Sequence, residues 1–162
     1  MAFDMAESFI SPTRGKLDFD ALFEDIASYM QEAPDCRYRL IIGTDSQLAE
    51  ETCFVTAIIV HREGKGARYY YSRDKERVSR SLRQRIYYET SRSLAVASHL
   101  AERLSRNGYA DLNVEIHLDV GENGETRELI REVVGMVVGS GFNARIKPYS
   151  YGATKVADKH TK

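Results

Sequence analysis

The stretch Leu40-Ile41-Ile42-Gly43-Thr44-Asp45-Ser46 decides the fold. Its apolar residues would face both sides of an extended chain, which predicts a strand over 37–44 that is covered on both faces. An aspartate directly after such a strand lies at its carboxyl end, where open α/β sheets bind their ligands. The stretch therefore predicts a central strand with a candidate functional carboxylate, Asp45, at its end.

The flanking segments alternate between strand and helix patterns. Asp18 can cap a helix whose apolar residues recur at the helical period. Beyond the central strand, two runs of β-branched and aromatic residues are joined by Glu63-Gly64-Lys65-Gly66, which predicts a hairpin. Periodicity and turn residues locate the remaining elements. Further strands are predicted at 52–61, 67–72, 113–118 and 142–149, and further helices at 78–106, from a cap at Thr126 to residue 139, and within 152–162.

This order of elements predicts one α/β domain over 1–162, in which 1–35 form an N-terminal extension that contains the first helix. Crossover helices after a hairpin require parallel neighbours in the sheet, and helices must cover its apolar faces. We therefore expect a mixed, five-stranded sheet flanked by helices.

The composition is that of a folded chain without covalent cross-links. Hydrophobic residues make up 43% and charged residues 29%, which excludes a disordered or collagen-like chain. With a net charge of -1, an anionic partner would have to be held by a local basic patch. Cys36 and Cys53 provide neither a disulfide framework nor a zinc motif. Residues 1–10 lack a signal-peptide pattern, and no apolar run reaches the ~20 residues of a membrane span, so we expect a cytoplasmic protein without membrane contact.

A second aspartate, Asp119, follows the predicted strand over 113–118 as Asp45 follows the first. If these strands are parallel neighbours, their carboxyl ends adjoin and the two carboxylates share one edge of the sheet. The alternative is that each aspartate only opens a turn after its strand.

Glu89 lies in the middle of the apolar stripe of the long predicted helix. At about 100° per residue, four apolar residues fall within roughly 20° of it. They are Val78, Leu82, Val96 and Leu100. A buried, unpaired charge is costly, so this position requires a compensating cation. The cation is either an arginine one turn away, Arg85 or Arg92, or a metal ion.

If Asp45, Glu89 and Asp119 converge, their charges repel one another. Two carboxylates about 4 Å apart repel by about 4 kcal/mol at an effective dielectric constant of ~20, so the cluster requires protons, arginines or metal ions. All-oxygen ligands suit Mg²⁺ or Mn²⁺, and two such ions can hold a scissile phosphate and activate a water molecule. The cluster therefore predicts phosphodiester hydrolysis.

Four stretches of the chain also carry a family resemblance. They are Phe9-Ile10-Ser11-Pro12-Thr13-Arg14-Gly15-Lys16, Ile42-Gly43-Thr44-Asp45-Ser46-Gln47, His117-Leu118-Asp119-Val120-Gly121 and Ala157-Asp158-Lys159-His160. Over nearly its whole length the chain resembles a family of short bacterial proteins of unknown function, the YkuK type, which are predicted to be nucleases related to ribonuclease H. The resemblance implies an RNase H-like sheet of strand order 3-2-1-4-5 with the second strand antiparallel, and hydrolysis of a nucleic acid with Mg²⁺ or Mn²⁺ as cofactor.

The same resemblance implies a catalytic and metal-binding tetrad, made of Asp45, Glu89, Asp119 and Asp158. The first carboxylate would bridge two ions, the second and third would hold one of them, and the fourth would hold the other. The chain departs from ribonuclease H in two ways. Ser46 replaces the glycine that usually follows the first aspartate, and the histidine of this segment, His160, follows Asp158 instead of preceding it.

A surplus of four positive charges, from seven basic and three acidic residues, lies between residues 73 and 92. Lysine and arginine contacts to phosphates give an affinity that does not depend on base sequence. The candidate nucleic-acid-binding residues are Arg77, Arg80, Arg83 and Arg85. A solvated helix surface is the alternative interpretation.

Two hypotheses of function follow. The first is a divalent-metal-dependent nuclease that acts on RNA, on an RNA–DNA hybrid or on structured DNA. The alternative is a non-catalytic RNase H-fold module that binds a protein or a nucleic acid, with its acidic residues paired with arginines.

Overall fold

The structure, a computed structural model, describes residues 8–77 and 81–161, apart from the side chains of residues 151 and 154. Its strands are β1 (Phe9–Ser11), β2 (Gly15–Leu17), β3 (Tyr38–Gln47), β4 (Thr52–Arg62), β5 (Ala67–Glu76), β6 (Asn113–His117) and β7 (Asn143–Arg145). Its helices are α1 (Phe19–Gln31), α2 (Leu82–Arg106), α3 (Ile130–Gly139) and α4 (Tyr151–Lys159), and a 3₁₀ turn (Arg127–Leu129) leads into α3.

All seven strands form one mixed sheet in the order β2-β1-β5-β4-β3-β6-β7. The hairpin partners β4 and β5 are antiparallel, and β4 is also antiparallel to β3. β6 is parallel to β3, and β7 is parallel to β6. Within these five strands, the predicted order 3-2-1-4-5 and the antiparallel second strand are confirmed. The α/β class is confirmed as well, whereas the predicted strand count of five is wrong because two further strands precede α1.

The two further strands form a hairpin, β1–β2, that extends the sheet beyond β5. The Ser11 hydroxyl accepts hydrogen bonds from the backbone N–H groups of Thr13 and Arg14, and Gly15 closes the turn at a φ of 75°, a value that glycine adopts without steric cost. The Arg14 guanidinium then lies 2.9 Å from a carboxylate oxygen of Asp25 in α1. Each strand has only three residues, which is too short to show a period of two in the sequence.

The sheet is covered on both faces. Residues of β3 alternate between the faces, as strand geometry requires. Leu40 and Ile42 lie in the main apolar core with α1, α2 and α3. On the opposite face, Ile41 packs with Ala153 of α4. Among the helices in the described ranges, none has the length and apolarity needed to cross a membrane.

The strands predicted over 37–44 and 67–72 run on to Gln47 and Glu76, and three further predicted elements differ in detail from the structure. The strand predicted over 142–149 is only β7, because the Lys147 N–H bonds to the Val120 carbonyl oxygen instead of a strand and Pro148 has no N–H to donate. Thr126 does not cap a helix with its side chain, since its hydroxyl accepts a hydrogen bond from the Gly121 N–H. The helix predicted from residue 78 begins at Leu82 in the described residues, and Val78 lies outside them.

Gly43 allows α4 to approach the sheet closely. A Cβ atom at this position would lie 2.8 Å from the Ala153 Cβ and 3.2 Å from the His117 carbonyl oxygen. Both distances are shorter than ordinary van der Waals contact, so a side chain here would push α4 off β3. The position of α4, which carries Asp158, therefore depends on this glycine.

Gly43→Ala is expected to lower the free energy of unfolding by about 1–3 kcal/mol, because the inserted methyl group overpacks the contact between β3 and α4. Urea denaturation measures the change. The matched control is Gly135→Ala in α3, where an added Cβ meets no atom within 4 Å, and a gain of up to ~1 kcal/mol in helix propensity is expected. If both variants proved equally stable, α4 would not be closely seated on β3.

Candidate active site

Asp45 lies in β3 near its carboxyl end, half-buried on the face that α4 covers. Burial and, next, the charges of Asp119 and Asp158 together raise the pKa of its carboxyl to about 7, against one hydrogen bond from the Ser46 N–H that lowers it. The Asp45 carboxyl is also hydrogen-bonded to the Asp158 side chain. Two carboxylates share a hydrogen bond only when one of them holds a proton. Asp45 is therefore within the electrostatic reach of two other acids.

Glu89 lies in the middle of α2, and its side chain faces the sheet with only 6% of the residue exposed. The pKa of its carboxyl is raised to about 8, and burial is the largest cause. The Ser46 hydroxyl donates a hydrogen bond to Glu89 Oε2 and lowers this pKa, whereas the charges of Asp45 and Asp119 raise it. Glu89 therefore lies on the buried, apolar face of α2, as its position in the helical period predicts.

The arginine predicted as a partner of Glu89 has only a small effect on its charge. Arg85 lowers the Glu89 pKa, but by less than burial and the two aspartates raise it. The guanidinium of the other candidate, Arg92, donates instead to the Ser72 hydroxyl, over 3.4 Å. The buried carboxylate thus remains poorly compensated by cations of the protein.

Glu115 shows how this fold compensates a buried carboxylate that has a structural role. It lies in β6 with 1% of the residue exposed, and Arg39 Nη1 donates to its Oε2 over 3.0 Å. Burial raises the pKa of this carboxyl, but hydrogen bonds from Arg39 and His117 and the charge of Arg145 outweigh burial and lower it. A carboxylate surrounded by cations is ionised at neutral pH, whereas Glu89 and Asp45 are held near their protonation midpoint.

Asp119 lies two residues beyond the end of β6, next to the exit of β7. The Leu118 N–H bonds to the Arg145 carbonyl oxygen, and the Lys147 N–H bonds to the Val120 carbonyl oxygen. These contacts place the Lys147 ammonium 2.8 Å from Asp119 Oδ1. Lys147 was not among the predicted site residues, because a lysine in a segment predicted as strand gives no signal of its contact with another loop.

Asp158 lies in the last turn of α4, exposed to solvent. Ala153 and Ala157 of the same helix are fully buried, so the helix presents its small residues to the sheet. The Asp158 side chain reaches the Asp45 carboxyl, and its hydrogen bond and its charge both raise the pKa of Asp45. The structure therefore brings Asp158 together with the acid at the end of the central strand.

Hydroxyl groups hold together the elements that carry the carboxylates. They belong to Ser46 and to two buried threonines. Thr44 Oγ1 lies 3.0 Å from Thr56 Oγ1 and 2.8 Å from Ser93 Oγ of α2. These hydroxyls tie β3, β4 and α2 together one residue before Asp45 and one turn after Glu89. In the sequence Ser46 is only a departure from ribonuclease H, whereas in the structure it is the hydrogen-bond partner of Glu89.

The four candidate carboxylates thus meet at one end of the sheet, and the oxygen donors that Mg²⁺ and Mn²⁺ prefer are present there. Within residues 8–77 and 81–161, no three His, Cys, Asp or Glu side chains are already arranged around a common metal position. Lys147 directs Asp119 and Ser46 directs Glu89, so binding of an ion requires these carboxylates to turn. The chemistry of these oxygen donors is of the kind that suits a hard divalent cation.

The basic residues beside the site have different environments. Arg77 is exposed in the structure, and Arg83 pairs with Glu132 Oε2 at 3.0 Å. Arg85 is half-buried, and its Nε has no hydrogen-bond partner. Arg80 lies outside the described residues. Arg77 and Arg83 are therefore both accessible to solvent, and Arg83 would have to leave an exposed ion pair to reach a phosphate.

The seven-stranded mixed sheet carries Asp45 in β3 and Asp119 just beyond β6, with Glu89 of α2 and Asp158 of α4 beside them. The chain belongs to the Ribonuclease H-like family, whose family model matches residues 21–162. This finding confirms the predicted family and fold class.

Among known proteins, the chain is similar to the uncharacterized protein YkuK of Bacillus subtilis (strain 168). The two are 37% identical over 172 aligned positions, which cover 98% of this chain and 100% of that protein. No solved structure matches the chain significantly.

Proposed function

We propose that this protein is a divalent-metal-dependent nuclease that hydrolyses phosphodiester bonds in RNA, in an RNA–DNA hybrid or in structured DNA. One observation carries the proposal. Two acids, Asp45 and Glu89, have pKa values raised to about 7 and about 8 by burial and by neighbouring carboxylates, although the same fold surrounds the buried Glu115 with cations. Acids with strongly perturbed pKa values cluster at functional sites, and a bound divalent cation would supply the positive charge that these carboxylates lack.

In the proposed site, four residues hold Mg²⁺ or Mn²⁺, with Asp45 at the centre. Bound ions of this kind activate water and stabilise the charge on a scissile phosphate. Asp45 is half-buried at the end of β3 and has acids on both sides of it, so it would bridge two ions. The neighbouring ligands would be Glu89 and Asp119 for one ion and Asp158 for the other.

Ser46 and Lys147 would orient these carboxylates. The Ser46 hydroxyl donates to Glu89 Oε2 and leaves the other oxygen, Oε1, for a ligand. Lys147 now contacts Asp119 Oδ1, and its exposed side chain can turn toward a phosphate when a divalent cation takes over the carboxylate. The lysine would then contribute a positive charge beside the substrate.

A nucleic acid would reach this site across the end of β5 and the start of α2. Arg77, Arg83 and Arg85 are the described candidates for phosphate contacts there, together with Arg80. Contacts of this kind predict binding that weakens steeply with salt and does not depend on base sequence.

The experiment that tests the proposal is cleavage of labelled single-stranded RNA, duplex, RNA–DNA hybrid and junction substrates in Mn²⁺. The wild-type protein is expected to cleave at least one of them, and Asp119→Asn is expected to lower the rate by at least ~10³-fold, because a lost metal ligand removes several kcal/mol of transition-state stabilisation. The matched control is Asp111→Asn, an exposed acid outside the site. Cleavage that survives Asp119→Asn unchanged would show a contaminating nuclease and remove the support for catalysis.

The contact of Lys147 with Asp119 favours the second candidate function, a non-catalytic binding module. An ammonium 2.8 Å from Asp119 Oδ1 already provides part of the positive charge that the acids require. If this lysine is the permanent partner of Asp119, the site has no need of a metal ion and the protein only binds its partner.

Lys147→Met is expected to separate the two functions. If the site binds metal, removal of the competing ammonium raises the affinity for Mn²⁺ by about 5- to 10-fold, a change of about 1 kcal/mol, and lowers the metal-free melting temperature because the acids lose a counter-charge. Titration calorimetry and thermal unfolding measure the two effects. Lys159→Met, at an exposed lysine in α4, is the control. A protein that binds no Mn²⁺ with or without Lys147 would favour the binding module.

A further inference from the structure

We propose that His160 is a positioning residue, whose ring fixes the last turn of α4 against β5 and thereby holds Asp158 toward Asp45. This inference rests on the proposed function, because it assigns His160 to the same metal site. It gives a role to the histidine that follows Asp158 in this chain.

The ring of His160 is stacked on Tyr71 of β5. The two ring centroids lie 3.8 Å apart, and the planes differ by 9°. A second tyrosine of β5, Tyr69, has its hydroxyl 3.3 Å from His160 Nε2. The imidazole is thus held on one side by a stacked aromatic face and at its edge by a hydrogen bond.

Arg73 adds a third contact from the same strand. Its Nε donates to the His160 carbonyl oxygen over 2.9 Å, and its guanidinium lies 5.4 Å from the centre of the Tyr71 ring. Tyr69, Tyr71 and Arg73 are spaced by two residues, so they project from one face of β5. We call these three residues together with His160 the aromatic clamp.

The clamp adds aromatic contacts at the end of α4, where the other described side chains that pack on the sheet near Asp158, Val156 and Ala157, are small. The helix has nine residues, and its fully buried side chains in the described part are the two small ones of Ala153 and Ala157. Short helices and chain ends fray when side chains do not hold them.

The aromatic clamp therefore acts on Asp158 through the backbone that joins Asp158 to His160. The His160 N–H bonds to the Ala157 carbonyl oxygen, so a fixed imidazole also fixes the turn in which Asp158 lies. Without the ring, the last turn of α4 would sample open conformations and Asp158 would meet the second ion less often.

The test compares His160→Ala, which removes the ring, with His160→Phe, which keeps a stacking ring without its nitrogens. Lys159→Ala, at the exposed neighbour, is the matched control. Three quantities are measured: hydrogen exchange of the α4 amides without metal, the apparent Mn²⁺ affinity by calorimetry, and kcat and KM for a cleaved substrate. Circular dichroism confirms that each variant folds.

We expect His160→Ala to speed exchange of the amides of residues 156–160 by at least ~10-fold, as for a locally fraying segment. It should weaken the apparent Mn²⁺ affinity by about 10-fold and lower kcat while KM for the nucleic acid stays within 2-fold, in line with the size of effects at residues that orient metal ligands. His160→Phe should restore most of the exchange protection and metal affinity. Lys159→Ala should resemble the wild type in all three measurements.

Exchange of α4 that is unchanged in His160→Ala would overturn the inference, and so would a His160→Phe variant no better than His160→Ala. Faster exchange without any loss of Mn²⁺ affinity would also overturn it, because His160 would then support the helix but not the site. A wild-type protein that binds no Mn²⁺ would overturn the proposed function and with it the role of His160 in the site, while the exchange data would still decide whether the clamp holds α4.

Discussion

Asp45→Asn is expected to abolish metal-dependent cleavage and at the same time to stabilise the metal-free protein. The loss of a bridging ligand removes several kcal/mol of transition-state stabilisation, which corresponds to a rate decrease of at least ~10³-fold. The gain in stability has the same origin, because Asp45 is half-buried among Glu89, Asp119 and Asp158. Asparagine keeps the shape of the side chain and removes its charge.

The expected gain at pH 8 is about 1–2 kcal/mol, which corresponds to a rise in melting temperature of about 2–8 °C for a chain of this size. Thermal unfolding with and without Mn²⁺ measures it, and Mn²⁺ should stabilise the wild type but not the variant. Asp111→Asn, at an exposed acid, should change neither quantity. If the Asp45→Asn protein were less stable than the wild type and still stabilised by Mn²⁺, Asp45 would be only a turn residue and not a metal ligand.

The stability of the metal-free protein is expected to fall as the pH rises from about 4 to about 8. The pKa of Asp45 is raised from 3.8 to about 7 and that of Glu89 from 4.5 to about 8. The folded state therefore retains protons that the unfolded chain has already released. By linkage, this contribution to stability is fully present below the unfolded pKa values and is lost as the pH passes through the folded ones. For shifts of this size the loss amounts to about 4 kcal/mol for each group taken alone.

Urea denaturation at several pH values, at constant ionic strength and with a chelator present, measures this effect. Other groups titrate in the same interval, so the informative quantity is the difference between the wild type and the Asp45→Asn, Glu89→Gln double variant. The variant should be increasingly more stable than the wild type as the pH rises from 4 to 8. With saturating Mn²⁺ the trend of the wild type should reverse, because the metal binds the deprotonated acids. A pH-independent difference would mean that the two acids are not buried together.

The burial of Glu89 could be predicted from the sequence because many turns of its helix repeat the same apolar pattern. Its helix has many turns of apolar residues at one spacing, so the angle of a single carboxylate relative to the stripe is well determined. The burial of Glu89 between Ile86, Val96 and Leu100 follows from that period. Asp45 and Asp119 were placed by a similar regularity, since each directly follows an apolar strand.

Lys147 and the role of Ser46 could not be predicted in this way. Both depend on where a loop or a side chain turns after a regular element has ended. Lys147 reaches Asp119 because backbone hydrogen bonds join the exit of β7 to the loop after β6. Contacts of this kind arise from tertiary packing and leave no periodic signal in the sequence. Asp158 was placed through the family resemblance, because a short C-terminal helix does not predict its own docking position.

The contacts of His160 also could not be predicted from the sequence. In the sequence it follows Asp158 as a polar residue near the end of a helix, which gives no reason to expect a contact. In the structure the spacing of Tyr69, Tyr71 and Arg73 along β5 creates a matching surface for it. A strand pattern predicts which side chains share a face, but the residue that packs on them comes from a distant part of the chain.

The hairpin β1–β2 has a consequence for solubility. The sheet ends in three-residue strands, β2 on one side and β7 on the other, whereas β5, which the hairpin partly covers, has ten residues. Long, bare edge strands are the surfaces on which chains pair with one another and aggregate, and short, charged edges prevent this. Lys16 and Arg145, at the two margins of the sheet, therefore help to keep separate copies of this protein from joining edge to edge.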